Sequence, residues 1–146
     1  MTEKTSTNWD WILKLLLRGV GSVSLLALIF VAAPYSWMNS IHQWLGMGQL
    51  PSEPVVGYLA RSTSAFYAML GGLFWVVSFD LSRHRVVLTY LGAAVVLFGW
   101  ALVVIDWREG MPFFWKVWEG PFVIVLGLAV FLLNRGDKPG GGESAR

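Results

Sequence analysis

The sequence contains no cysteine, and this absence excludes a whole group of sites. Without thiols the chain has no disulfide, no thiolate nucleophile, no cysteine-bound zinc and no iron–sulfur cluster. Histidine is almost as scarce, since His42 and His84 are the only imidazoles in 146 residues. The topology predicted below places these two residues on opposite sides of a membrane, which excludes a haem held by both of them. We therefore expect no metal and no cofactor.

Charge is also scarce, and this changes the class of protein to consider. Charged residues make up only 14% of the chain and hydrophobic residues 55%, whereas about 25% of the residues of soluble domains are charged. The sequence has no basic run that would suggest nucleic-acid binding. It also lacks a P-loop, a Rossmann fingerprint and a credible Ser-His-Asp pattern. The composition indicates a membrane protein that carries no recognisable catalytic motif.

Four apolar segments predict an all-α membrane protein, a bundle of four transmembrane helices. The predicted spans cover about residues 12–33, 54–79, 86–105 and 113–134, and about 20 apolar residues suffice to cross a bilayer as a helix. Residues 1–11 are expected to form a polar cytoplasmic N-terminus and residues 135–146 a disordered cytoplasmic tail. Two starts remain open for the fourth span, one near Phe113 with a bend at Pro121 and one at Pro121 itself. No carboxylate lies in the middle of a span, which disfavours proton-driven transport.

The segment after the first span predicts a short amphipathic helix that lies in the membrane interface. Pro34 ends the span, and Trp37, Ile41 and Trp44 then recur at helical spacing. Glycine and proline residues interrupt the pattern before the second span. An apolar face of this kind buries itself at the boundary between headgroups and acyl chains.

The distribution of basic residues predicts that both termini are cytoplasmic. With four spans, eight of the eleven Lys and Arg residues fall on the side of the termini, and three fall on the other side. The positive-inside rule assigns the richer side to the cytoplasm. We expect a multi-pass protein of the plasma membrane, the inner membrane in a Gram-negative bacterium. The eight residues are Lys4, Lys14, Arg18, Arg83, Arg85, Arg135, Lys138 and Arg146, and the other three are Arg61, Arg108 and Lys116.

Arg61 is the first candidate for a functional residue, because it is an ionisable side chain inside a predicted span. One interpretation is structural: Arg61 reaches lipid headgroups, or pairs with Glu119 or, as second choice, with Asp106. The other makes Arg61 the floor of an outward-facing pocket for an anionic or carbonyl group. His42 and Tyr58 complete the candidates for this ligand or ion-pair site, although a lone interfacial histidine more often faces headgroups.

Small residues predict where helices pack closely. Gly92 and Gly99 lie one heptad apart in the third span, and a ridge of small residues recurs every four residues in the second. Such ridges allow the backbones of two membrane helices to approach each other. The ridge consists of Ala60, Ser64, Ala68 and Gly72.

Three segments of the chain resemble a known kind of protein. LPSEPVVGYLARSTSAFYAMLGG, DWREGMPFFW and EGPFVIVLG are similar to segments of small four-span bacterial inner-membrane proteins of uncharacterised function, over residues 35–133. The resemblance implies four helices in an inner membrane, and it implies no activity, cofactor or site. A looser similarity to the DoxX-like four-helix proteins rests on the number of spans alone.

The function expected from these features is binding or assembly without catalysis. The expected partners are the lipid bilayer and either another membrane protein or a second copy of this chain. The alternative is a membrane enzyme or redox-accessory protein that holds a quinone or a lipid in the pocket around Arg61. A small transporter subunit is a third possibility, and it would require an oligomer because four spans leave little room for a pathway.

Overall fold

The computed structural model describes residues 3–135, with side chains from residue 9 onward. This part of the chain forms helices and connecting turns and contains no strand, so the predicted all-α class is confirmed. Most of the predicted disordered tail, residues 136–146, lies outside the described residues. The helices are α1 (Glu3–Leu25), α2 (Leu28–Ala32), α3 (Tyr35–Trp44), α4 (Pro54–Phe79), α5 (Arg85–Arg108) and α6 (Phe113–Arg135).

Four stretches of helix are long and apolar enough to cross a membrane, and they make the chain a multi-pass membrane protein. They cover Trp9–Ala32, Pro54–Phe79, Arg85–Arg108 and Phe113–Arg135. Many large apolar side chains along them are exposed in the isolated chain, which suits helices solvated by lipid. Helix α6 starts at Phe113 and continues through Pro121, so the earlier of the two possible starts is the one adopted.

The first span is interrupted between α1 and α2, a feature that the sequence analysis did not predict. The N–H of Ala27 bonds the carbonyl of Ser24 at 3.1 Å, and the N–H of Phe30 bonds that of Ala27 at 3.0 Å. Bonds across three residues instead of four tighten the helix locally into a 3₁₀ turn. Neither glycine nor proline stands at Leu26 or Ala27 to mark this change in advance.

Helices α3 and α5 end in the same way, on a glycine in the left-handed conformation. Gly46 has φ 74° and Gly110 has φ 68°. Beyond each glycine the chain turns back, so that the N–H of Met47 bonds the carbonyl of His42 at 3.1 Å and the N–H of Met111 bonds that of Asp106 at 3.0 Å. This is the Schellman arrangement, and residues with a Cβ adopt the required φ only at a cost.

The turn between α4 and α5 is held by Asp80. Its carboxylate accepts hydrogen bonds from the hydroxyl of Ser82 at 2.6 Å and the backbone N–H of Arg83 at 3.0 Å. These two bonds lower the pKa of the Asp80 carboxyl, because they favour its charged form. The turn therefore keeps its anchor to a lower pH than a free aspartate would allow.

The chain divides into two compact units, and the first combines the residues up to Leu17 with those from Val77 onward. The α5–α6 hairpin forms most of the described part of this unit. Its two helices approach so closely that a Cβ on Gly99 would lie 2.7 Å from a side-chain carbon of Ile124, and one on Gly120 would lie 2.9 Å from the backbone nitrogen of Val103. Glycine on both helices thus permits contact between their backbones.

The second unit, Arg18–Val76, packs the end of α1 against α4 in a similar way. A Cβ on Gly21 would lie 2.9 Å from the carbonyl oxygen of Gly71, and one on Gly71 would lie 2.7 Å from that of Gly21. The indole N–H of Trp75 also donates to the hydroxyl of Ser22 at 3.2 Å. The unit therefore has its own helix pair, which carries α2, α3 and the loop that follows.

Candidate functional site

Arg61 projects from α4 to the end of α2, within the second unit. Its Nη2 donates to the carbonyl of Ala33 at 2.8 Å, and its Nη1 donates to the carbonyl of Val31. The side chain is half-buried. One guanidinium group thus bonds two carbonyls at the end of the first span.

These carbonyls need an external donor because of the residues that follow them. Helix α2 ends at Ala32, and the last carbonyls of a helix have no partner within it. Pro34 comes next and has no N–H to offer. Arginine presents several donors in a planar fork, and its positive charge is favoured at the negative end of the helix dipole. Arg61 therefore caps α2. With these two carbonyls as acceptors, its guanidinium needs neither a lipid phosphate nor a carboxylate as a partner.

The pairing of Arg61 with Glu119 or Asp106 would join the two units, and it stays a prediction. Within its own unit, Glu119 has a different partner, since its Oε2 accepts a hydrogen bond from the indole N–H of Trp115. The first unit has a salt bridge at 2.6 Å between Arg85 and Asp10 among its described residues. The side chains of Arg61 and Glu119 each have a partner inside their own unit.

Three side chains of α3 hold the loop that leads to α4, and we call them the α3 clasp. Tyr35 donates its hydroxyl to the carbonyl of Leu50, and the N–H of Leu50 donates to Oδ1 of Asn39 at 2.8 Å. Nδ1 of His42 lies 3.0 Å from the carbonyl of Gly48. Because a carbonyl only accepts, this contact places a proton on Nδ1 of His42. The predicted site residue His42 therefore has a structural task, with Tyr35 and Asn39 on the same face of the helix.

Asp106 and Glu119 come together at one end of the α5–α6 hairpin. Asp106 is only 3% exposed, and its Oδ2 has no hydrogen-bond partner among the described residues. A Cβ on Gly120, the residue after Glu119, would lie 2.9 Å from the backbone nitrogen of Val103, which is three residues before Asp106, so both carboxylates belong to the same end of the hairpin. Lys116, also at this end, places its ammonium 4.9 Å from the centre of the Trp107 ring.

The remaining predicted residues are spread over both units. Tyr58 is 69% exposed on α4. Gly92 and Gly99 lie at the α5–α6 contact, where a Cβ on either would come within 3.0 Å of α6. On the α4 ridge, Ala68 is buried, and Ala60, Ser64 and Gly72 are half-buried. A Cβ on Gly72 would meet no described atom within 4 Å, and Gly71 makes the close approach to α1 instead.

The structure reveals one polar cluster that the sequence analysis missed, at the opposite end of the α5–α6 hairpin. Nη2 of Arg85 donates to Oδ1 of Asp10, and the side-chain amide of Asn134 donates to the carbonyl of Arg85 and the hydroxyl of Thr89, both at 2.9 Å. Asn134 is 5% exposed. A signal existed in the sequence, since a buried amide at the end of a span needs partners. Its partners Thr89 and Arg85 are 45 and 49 residues distant and could not be identified from the sequence.

The chemistry available to the described residues is limited. Among the side chains that the structure describes, from residue 9 to residue 135, no group of three or more His, Cys, Asp or Glu residues could hold a metal ion. The polar contacts described above mostly cap helices, close turns or hold a loop. Comparison with protein families, curated proteins and solved structures finds no match to this chain.

Proposed function

We propose that the protein is a non-catalytic binding or assembly protein of a bacterial inner membrane. The observation that carries the proposal is the position of Arg61, whose guanidinium donates to the carbonyls of Val31 and Ala33. The most conspicuous ionisable residue of the spans thereby caps the end of the first span. A pocket that receives an anionic ligand would need these same donors.

The surface of α4 supports assembly as the form of this function. A Cβ on Gly57 or on Gly72 would meet no described atom within 4 Å. Small residues on an open face of a membrane helix let the backbone of another helix come close. The partner in this proposal is a second copy of the chain or another membrane protein, with both termini of the chain in the cytoplasm.

Single cysteines introduced into this cysteine-free chain test the assembly function. We expect Gly72→Cys or Gly57→Cys to form oxidative cross-links in native membranes, either to a second copy or to a protein that mass spectrometry then identifies. Val125→Cys, on an exposed part of α6, is the control for random collision. Cross-links no more frequent at the two glycine positions than at Val125 would contradict assembly through α4.

The alternative function, a membrane enzyme or redox-accessory protein with a quinone or lipid near Arg61, makes a different prediction. Such a ligand would remain with protein purified in mild detergent and would be lost from Arg61→Met. Extraction of a stoichiometric quinone or lipid from the wild-type chain, but not from this variant, would favour the alternative over assembly.

A further inference from the structure

Asp106 is a buried carboxylate for which the described residues provide no hydrogen-bond partner at one oxygen. It lies in the last turn of α5, where it continues the buried face of that helix through Leu88, Gly92 and Gly99. Only 3% of its surface is exposed, and Oδ2 has no hydrogen-bond partner in the described chain. Buried polar atoms are normally paired, and an exception in a native structure calls for a physical reason.

Three features of this position oppose an unpaired negative charge. Burial removes water from the carboxylate, at a free-energy cost that only paired charges recover. The end of α5 carries the negative pole of the helix dipole, where cations are favoured and anions are not. Glu119 adds a second carboxylate at the same end of the hairpin, next to Gly120, which packs against Val103 of α5. All three features would be relieved by one positive charge.

The basic side chains at this end of the hairpin, Lys116 and Arg108, form no salt bridge with Asp106 or Glu119 among the described residues. The ammonium of Lys116 lies over the ring of Trp107, 4.9 Å from its centre. Glu119, by contrast, has its carboxylate oriented by the indole N–H of Trp115. Both carboxylates thus lie at this end of the hairpin without a salt bridge to any described basic side chain.

We propose that Asp106 and Glu119 together bind a monovalent inorganic cation, Na⁺ or K⁺, at this end of the α5–α6 hairpin. The two carboxylates supply the charge, and carbonyls of the last turn of α5 or water complete the coordination. Zinc prefers nitrogen and sulfur ligands, and calcium affinity depends on the number of charged oxygen ligands, of which this pair supplies only two. This site does not depend on the assembly function, because its residues lie on α5 and α6 of the first unit and the assembly face lies on α4.

Thermal unfolding of the full-length protein in detergent tests the site. Sodium or potassium chloride is titrated against N-methylglucamine chloride at constant ionic strength, and the unfolding midpoint is followed by tryptophan fluorescence. We expect the unfolding midpoint of the wild type to rise with the Na⁺ or K⁺ concentration and then to level off. The dependence should disappear in Asp106→Asn, and this variant should be more stable than the wild type in the absence of Na⁺ and K⁺, because the unpaired charge is gone.

Glu119→Gln is the second variant, and it keeps the test valid if Asp106→Asn does not fold. Glutamine retains a carbonyl oxygen for the Trp115 indole, so the fold should be preserved while one charged ligand is lost. We expect that the same rise in the unfolding midpoint will require a cation concentration higher by about tenfold or more, the scale on which supporting contacts affect metal affinity. Glu109→Gln, an exposed acidic residue next to the end of α5, is the matched control and should respond like the wild type.

Several results would overturn the proposal. One is a wild-type midpoint that does not depend on Na⁺ or K⁺, whether because Lys116 turns to neutralise Asp106 or because a proton takes the place of the ion. Another is a response to micromolar Ca²⁺ with none to the monovalent ions. A saturable response that Asp106→Asn and Glu119→Gln both retain would place the ion elsewhere.

Discussion

At the scale of single residues, Arg61 shows how a membrane helix can end inside a protein. The end of a helix leaves carbonyls without partners, and hydrocarbon offers none. Arginine solves this problem from a neighbouring helix because it keeps its charge and offers donors in a fixed fork. The bonds to Val31 and Ala33 lie within one unit of the chain, so the cap belongs to the fold of that unit.

This role predicts a stability defect in Arg61→Met. Each hydrogen bond to a charged group contributes about 1.5–3 kcal/mol, so we expect a loss on that scale, with a smaller loss in Arg61→Lys because lysine lacks the planar fork. Unfolding in detergent by a chemical denaturant measures it. Arg108→Met is the control, since Arg108 is exposed. Equal stability of the Arg61 and Arg108 variants would mean that the cap contributes nothing.

The sequence identified Arg61 as unusual but could not identify its partner. An ionisable residue within an apolar stretch stands out in any sequence, whereas the carbonyls of Val31 and Ala33 belong to residues with no polar side chain. The same limit applies to Arg85. The sequence analysis used it only as one of the basic residues that predict the orientation and could not identify its partners. Its bonds to Asp10 and Asn134 depend on three helices meeting at one end of the first unit.

At the scale of elements, the four long helices could be predicted because length and composition determine them. The break at Leu26–Ala27 could not, since it depends on a local change of hydrogen bonding between ordinary apolar residues. The sequence allowed two starts for α6, because a proline such as Pro121 can stand either at the start of a helix or in a helix interior near the surface. The glycine of α4 that makes the close contact is Gly71. The four-residue spacing of the predicted ridge selects its neighbour Gly72 instead.

The glycine positions predict opposite effects for the same substitution. In Gly99→Ala the new Cβ would lie 2.8 Å from the backbone nitrogen of Ile124, so α5 and α6 must separate, and overpacking of this kind costs about 1–3 kcal/mol. In Gly72→Ala the new Cβ meets no described atom within 4 Å, and the better helix propensity of alanine gives an equal or slightly higher stability.

The measurement is the unfolding midpoint of both variants in detergent, where the single chain is compared with itself. A neutral Gly99→Ala would show that the two helices are not in backbone contact. A strongly destabilised Gly72→Ala in detergent would show that this position is covered by another helix even after extraction from the membrane.

At the scale of the whole molecule, the arrangement of the first unit bears on the orientation in the membrane. Asp10, near the start of the first span, contacts Arg85 at the start of α5, which in turn contacts Asn134 at the end of α6. The beginning of the first span and the end of the last therefore lie at the same end of this unit. An even number of spans requires that arrangement, and the basic residues then decide which side it faces.

The orientation predicts which introduced cysteines an impermeant thiol reagent can reach. Ser52 lies in the exposed loop before α4, and Ser144 lies in the C-terminal tail outside the described residues. Eight of the eleven basic residues share the side of the termini, so we expect Ser52→Cys to react in intact cells and Ser144→Cys to react only after lysis. The absence of natural cysteines removes any background from the chain itself. Reaction of Ser144→Cys in intact cells, with Ser52→Cys protected, would reverse the orientation, and reaction of both would mean that the chain inserts in two directions.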